Sequence, residues 1–142
     1  MQTLTNRLHC TYSTVSVKAG IYFLGDPCYA VPGDLWSELL LSCGSFLEYP
    51  VGEVTSQRGE FEVLSFGTGG DGVFSDTLGC TYPVDSGMIG LTPGELAQCG
   101  NNTLDWPPRM DLGRFVSFAD DFTCSVEDGV LTFGDIVIDT NN

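Results

Sequence analysis

Four aspartates mark the places where this chain could do chemistry. Asp26, Asp71, Asp76 and Asp85 lie in glycine-flanked turns next to apolar runs, within Gly25-Asp26-Pro27, Gly70-Asp71-Gly72, Asp76 to Gly79 and Asp85-Ser86-Gly87. Carboxylates displayed at strand ends are the oxygen ligands that calcium or magnesium takes, and Asp26, Asp71 and Asp85 would be the set to hold such an ion for a carboxylate-metal hydrolase. The competing account needs no cofactor. Aspartate is favoured in turns because its side chain accepts hydrogen bonds from nearby backbone amides, and the step from Asp71 to Asp76 does not fit an EF-hand loop. Turn capping is therefore the expectation, with no cofactor.

Other constellations are weaker. Gly67-Thr68-Gly69-Gly70-Asp71-Gly72 has the letters GxGxxG, yet Val73-Phe74 after it reads as strand rather than the helix a dinucleotide site requires, and Asp71 would repel phosphate. His9 is the sole histidine, and its neighbour Cys10 points to the opposite side of a strand, so a Cys-His pair would need a distant thiol. Ser86 lacks the flanking glycine pattern of a nucleophile elbow, and no two cysteines make a CxxC half-site for zinc. Trp106, before Pro107-Pro108 in a polar stretch, is a candidate anchor for a partner protein, and equally a cap over a sheet edge.

The elements that must position these residues are mostly strands. From Phe61 to Thr92 the sequence reads as a meander: Phe61 to Phe66, Val73-Phe74, Cys80 to Val84 and Met88 to Leu91, separated by Gly/Asp turns. Residues 8 to 17 alternate polar and apolar as one half-buried strand, and Ile21 to Leu24 form another that Pro27 stops, leaving Asp26 at its mouth. A helix is predicted over about 34 to 43, capped by Asp34, with Leu35, Trp36, Leu39, Leu40 and Cys43 on its inner face. A second, at about 93 to 99, opens on Thr92-Pro93-Gly94-Glu95, a capping box. Residues 49 to 60 and 100 to 112 read as loops. With Asp128-Gly129 as a type I′ turn, Glu127 should face Val130, Val126 face Leu131 and Cys124 face Phe133. A bend near Ser117 and a bulge at Gly134 would account for the phase of the neighbouring apolar residues. The expected fold is mainly β with an α+β character: one antiparallel, sandwich-like domain spanning residues 1–142, with one amphipathic and one short helix.

Composition narrows the function. Nineteen acidic against five basic residues give a formal charge of −14, while 42% of the 142 residues are hydrophobic and 11% aromatic. That apolar content supports a folded core rather than disorder. A field of this sign repels nucleic acid and anionic membranes and attracts basic proteins or cations. The basic residues Arg7, Lys18, Arg58, Arg109 and Arg114 are scattered and form no phosphate-tracking stripe. No stretch approaches a membrane span, and the start, MQTLTNRLHC, lacks an apolar signal core. The six cysteines, Cys10, Cys28, Cys43, Cys80, Cys99 and Cys124, are accordingly expected as reduced thiols in a cytoplasmic or virion setting.

Taken together, Gly25-Asp26-Pro27-Cys28-Tyr29, the helix around Trp36, Phe66-Gly67-Thr68 with Gly70-Asp71-Gly72, and Tyr82 to Gly90 resemble a group of small bacterial and phage proteins. Their pattern is GDPCY, then GDG followed by Tyr or Phe and Asp, then VD(S/A)GxIG. The resemblance covers about residues 20 to 92. It implies a cytosolic or viral setting and a compact β-rich fold, and it carries over no catalytic residue. The functional expectation is a phage-encoded acidic accessory protein that binds another, basic protein and inhibits a host nucleic-acid-handling or defence factor. The alternatives are a capsid- or tail-associated virion protein, with exposed loops at 49 to 60 and 100 to 112, and the metal hydrolase above.

Overall fold

A computed structural model of the chain describes residues 8–11, 14–31, 33–42, 51–56, 59–97 and 112–141. Among the described residues twelve strands form three antiparallel sheets. The terminal sheet runs β1 (Leu8–Thr11), β2 (Thr14–Val17), β10 (Phe122–Glu127), β11 (Val130–Phe133), β12 (Ile136–Asp139). The central sheet runs β4 (Val51–Ser56), β5 (Gly59–Gly67), β8 (Met88–Pro93), β3 (Gly20–Gly25), β9 (Gly113–Phe118). A two-stranded ribbon, β6 (Gly72–Ser75) and β7 (Thr81–Val84), completes the set. The described α-helices are α1 (Gly33–Ser42) and the single-turn α2 (Gly94–Ala97).

The central sheet is covered on both faces, which is why its strands are apolar in both phases. Tyr22, Leu24, Leu64, Phe66, Ile89, Leu91 and Val116 meet Val15, Val17, Cys124, Leu131, Phe133 and Ile138 of the terminal sheet, with Tyr82 and Val84 of the ribbon closing one side. On the opposite face Val54, Phe61 and Val63 receive Leu39 of α1 and Leu96 of α2, while Phe23 packs with Ala30, Ala97 and Phe115. Burying a large aliphatic or aromatic side chain contributes roughly 1.5 to 3 kcal/mol, so these two layers are the main source of stability. Gly90 permits the tight pairing of β5 and β8, since a Cβ there would overlap the Leu64 carbonyl.

Several elements differ from expectation. Residues 8 to 17 are not one strand but a hairpin, with Leu8 facing Val17 and Cys10 facing Val15. Residues 51 to 56 are strand β4 rather than loop, with Val54 fully buried opposite Phe61. The meander has its strands in the predicted places but not its pairing: β5 pairs with β8, and β6 and β7 stand apart as a ribbon. Thr92 lies in β8 opposite Phe23 and its buried hydroxyl has no hydrogen-bond partner, so it does not cap α2. β9 pairs with β3 without a break from Gly20–Phe118 to Gly25–Gly113; Phe115 and Phe118 serve opposite faces, and no bend at Ser117 is needed. Gly134, at φ 64°, is in the turn that brings Phe133 opposite Ile136, not in a bulge. The β10–β11 register is as read, and φ values of 51° at Asp128 and 79° at Gly129 match a type I′ turn. Residues 100–111 and the side chains of His9, Cys10, Asp34, Leu40, Cys43 and Cys99 lie outside the described residues.

Candidate functional site

Two of the four turn aspartates are internal. Pro27 ends β3 and begins a 3₁₀ turn, Pro27–Tyr29, for which Asp26 is the N-cap. The Asp26 carboxylate is fully buried and accepts four hydrogen bonds: from the Cys28 amide at 2.9 Å, the Asp85 and Ser86 amides at 2.7 Å each, and the Ser86 hydroxyl at 2.5 Å. It ties the end of β3 to the β7–β8 turn, sixty residues further on. The donors are neutral. Ser86 thus meets a carboxylate, and its hydroxyl proton is committed to Asp26.

Beside this knot the Gly67–Gly72 turn is fastened through Thr68, whose amide donates to the Gly87 carbonyl at 2.9 Å and whose hydroxyl donates to the Gly70 carbonyl at 2.6 Å. The turn passes directly into β6, as a glycine-rich β-turn would. Asp71 and Asp85 are exposed here. Burial, the Asp26 charge, a contact with that carboxylate and the Asp85 charge together push the Cys28 thiol well above its ordinary range. Tyr29 is raised as well, first by burial and then by the charges of Cys28, Asp26, Asp85 and Asp71. A thiol held protonated is a poor nucleophile at neutral pH.

The second internal aspartate, Asp76, closes the ribbon. It accepts from the Leu78 amide at 2.9 Å, the Cys80 amide at 3.0 Å and the Tyr82 hydroxyl at 2.7 Å, and Arg114 of β9 approaches it at 3.4 Å. Arg114 Nε also donates to the Tyr82 hydroxyl at 2.9 Å. Burial alone would raise the Asp76 carboxyl, but the Tyr82 hydroxyl, the two amides and the guanidinium outweigh it and hold the group below the usual carboxylate range. Burial pushes the Tyr82 phenol up. Through its backbone Asp76 also bridges to Ile138 of β12, and Thr77 donates to the Val137 carbonyl at 3.2 Å.

The predicted site residues therefore divide. Asp26 and Asp76 are buried and saturated with donors, Asp71 and Asp85 face outward near Asp26, and Trp106 lies outside the described residues. Among the described residues no three His, Cys, Asp or Glu side chains are arranged to hold a metal ion. Cys28, Cys80 and Cys124 are free thiols. Ser86, Tyr82 and Arg114 were missed as partners by sequence reasoning. Only the glycine-bounded Asp-Ser pair hinted at one of them, and nothing local marked the other two.

Outside these networks, the charge is one-sided. The described cations Lys18 and Arg114 each pair with an aspartate, Asp121 at 3.3 Å and Asp76 at 3.4 Å. Exposed carboxylates border both ends of the terminal sheet, with Asp120, Asp121 and Asp135 at the turns of one end and Glu127, Asp128 and Asp139 at the other. No described helix is long and apolar enough to cross a membrane. No protein-family model, curated protein or solved structure matches this chain.

Proposed function

We propose that this protein acts by binding another protein with a basic surface, as a phage-encoded accessory factor that occupies the nucleic-acid groove of a host nucleic-acid-handling or defence protein. One observation carries the reading: both described cations are paired with aspartates, while exposed carboxylates border both ends of the terminal sheet. Carboxylates fixed on such a scaffold stand in for phosphates, and they steer a basic partner from a distance. The two buried aspartates support the same reading, because their lone pairs are spent on holding turns rather than on substrate.

The test is binding of the full chain to purified basic nucleases at low and high salt, alongside a variant with Asp120, Asp135, Glu127 and Asp128 changed to Asn or Gln. Salt-sensitive binding that the variant loses is the expected result. Binding indifferent to both salt and the four substitutions would overturn the reading. The virion alternative drew on exposed loops at 49 to 60 and 100 to 112; the first includes strand β4 and the second lies almost wholly outside the described residues, so no observation favours it here.

A further inference from the structure

The ribbon and the terminal sheet do not close on each other. Beyond the bridge between Asp76 and Ile138 and the bond from the Thr77 amide to the Val137 carbonyl, β6 and β12 lie close without pairing as a ladder. Between them is a cleft of about 360 Å³ lined by Val73, Phe74, Ser75, Asp76, Thr77, Val137 and Asp139. That volume is at the small end of ligand-binding clefts, roughly 300 to 1,000 Å³, and suits the side chains of a short segment. Val73 is 66% exposed at its mouth.

The outer edge of β6 has no strand partner over Gly72–Ser75 among the described residues. Natural edges are usually guarded by lysine, by proline, by a bulge or by being very short, and of these β6, at four residues, has the last. Gly72, Val73, Phe74 and Ser75 supply no lysine, proline or bulge. An open edge beside a cleft is the arrangement by which an extended peptide is captured, its backbone pairing with the strand and alternate side chains entering the pocket. Among the described residues the one cation near it, Arg114, is paired with Asp76, and the remaining charge around it is acidic. Asp139 lines the cleft, the register sets Glu127 and Asp139 on either side of Val130, and Asp128 follows at the turn.

We infer that this cleft receives an extended basic segment of the partner protein, added as a strand along the free edge of β6. An aliphatic side chain of that segment lodges among Val73, Phe74 and Val137, and an adjacent lysine or arginine rests on Asp139. The inference builds on the proposed binding of a basic partner and names where that partner sits. β6 is four residues long, so the paired stretch is short and the acidic rim supplies the rest of the recognition.

The probe is a synthetic peptide alternating lysine and valine, titrated into the isotope-labelled full chain, with a glutamate-valine peptide and polylysine as comparisons. Amide shifts confined to residues 72–77 and 137–141 are expected, with affinity about tenfold weaker in Val73→Arg and severalfold weaker in Asp139→Asn. Val73 is a surface position, so its substitution leaves the core intact. Polylysine binding in the absence of lysine-valine binding, or shifts gathered at Asp120, Asp121 and Asp135 instead, would overturn the cleft while leaving the basic-partner reading in place. Failure of both cationic probes would overturn both readings, and equal binding of the glutamate-valine peptide would remove the charge recognition.

Discussion

Asp26 and Asp76 come from similar sequence surroundings, a short turn beside a strand end, and both finish inside the protein, yet they are held in different ways. Asp26 is surrounded by neutral donors, three amides and a hydroxyl. Asp76 has two amides, a phenol and a guanidinium. The first arrangement joins two turns of the chain, while the second neutralises charge inside the molecule. The difference shows that a buried aspartate need not imply either a cation or a reaction. Backbone amides suffice when a turn offers several of them in one direction.

The comparison is broken most forcefully at Asp26. Replacing it by alanine leaves three amides and a hydroxyl without their acceptor, and a loss of about 3 to 5 kcal/mol in denaturant unfolding is expected. A loss below about 1 kcal/mol would mean that water replaces the carboxylate and that the knot is no structural anchor.

At Asp76 the expected loss for Asp76→Asn is about 2 to 3 kcal/mol, because Arg114 and Tyr82 keep only part of their partner. This site also carries a pH signature. The folded carboxyl lies below its unfolded value, so its contribution is complete above about pH 4 and is lost as the pH falls through the folded value. Acid titration of stability should be shallower in Asp76→Asn than in the native chain over that window. Parallel titrations would show that the salt link contributes nothing there.

The smallest effect sharpens the comparison from the surface. Asp85 lends its amide to the Asp26 knot but its exposed side chain acts on Cys28 only by charge. Asp85→Asn should therefore leave unfolding unchanged and raise the alkylation rate of Cys28 about twofold, through a modest fall in the thiol's pKa. An unchanged or slower rate would remove Asp85 from the set of groups that restrain the thiol.

Much of the terminal sheet could be read from local rules. Asp128-Gly129 specifies its own turn type, and the turn type specifies every pair along β10 and β11. Leu8, Cys10 and Tyr12 are even-numbered, whereas Val15 and Val17 are odd-numbered. That change of phase was the signal of the β1–β2 hairpin, obscured because each half alternates correctly by itself. β4 was hidden for another reason: it is an edge strand, and Val54 is its one fully buried hydrophobic side chain amid glycine, glutamate and threonine. The β5–β8 pairing skips a whole ribbon, and the close approach that permits it rests on Gly90, which reads in sequence as one more turn residue. Of the site, the position of Asp26 at the mouth of β3 was legible. Its partner Ser86 was not, because a contact across sixty residues leaves no local periodicity.

Asp76 has one further effect. Two sheets held by apolar side chains alone resist separation well but resist sliding poorly, since dispersion has no preferred direction. Asp76 bonds to β9 of one sheet through Arg114 and bridges β12 of the other through its backbone. It therefore acts across the layers: a displacement of β12 along its axis would have to be accommodated at the guanidinium on β9, so one side chain resists shear between the two sheets.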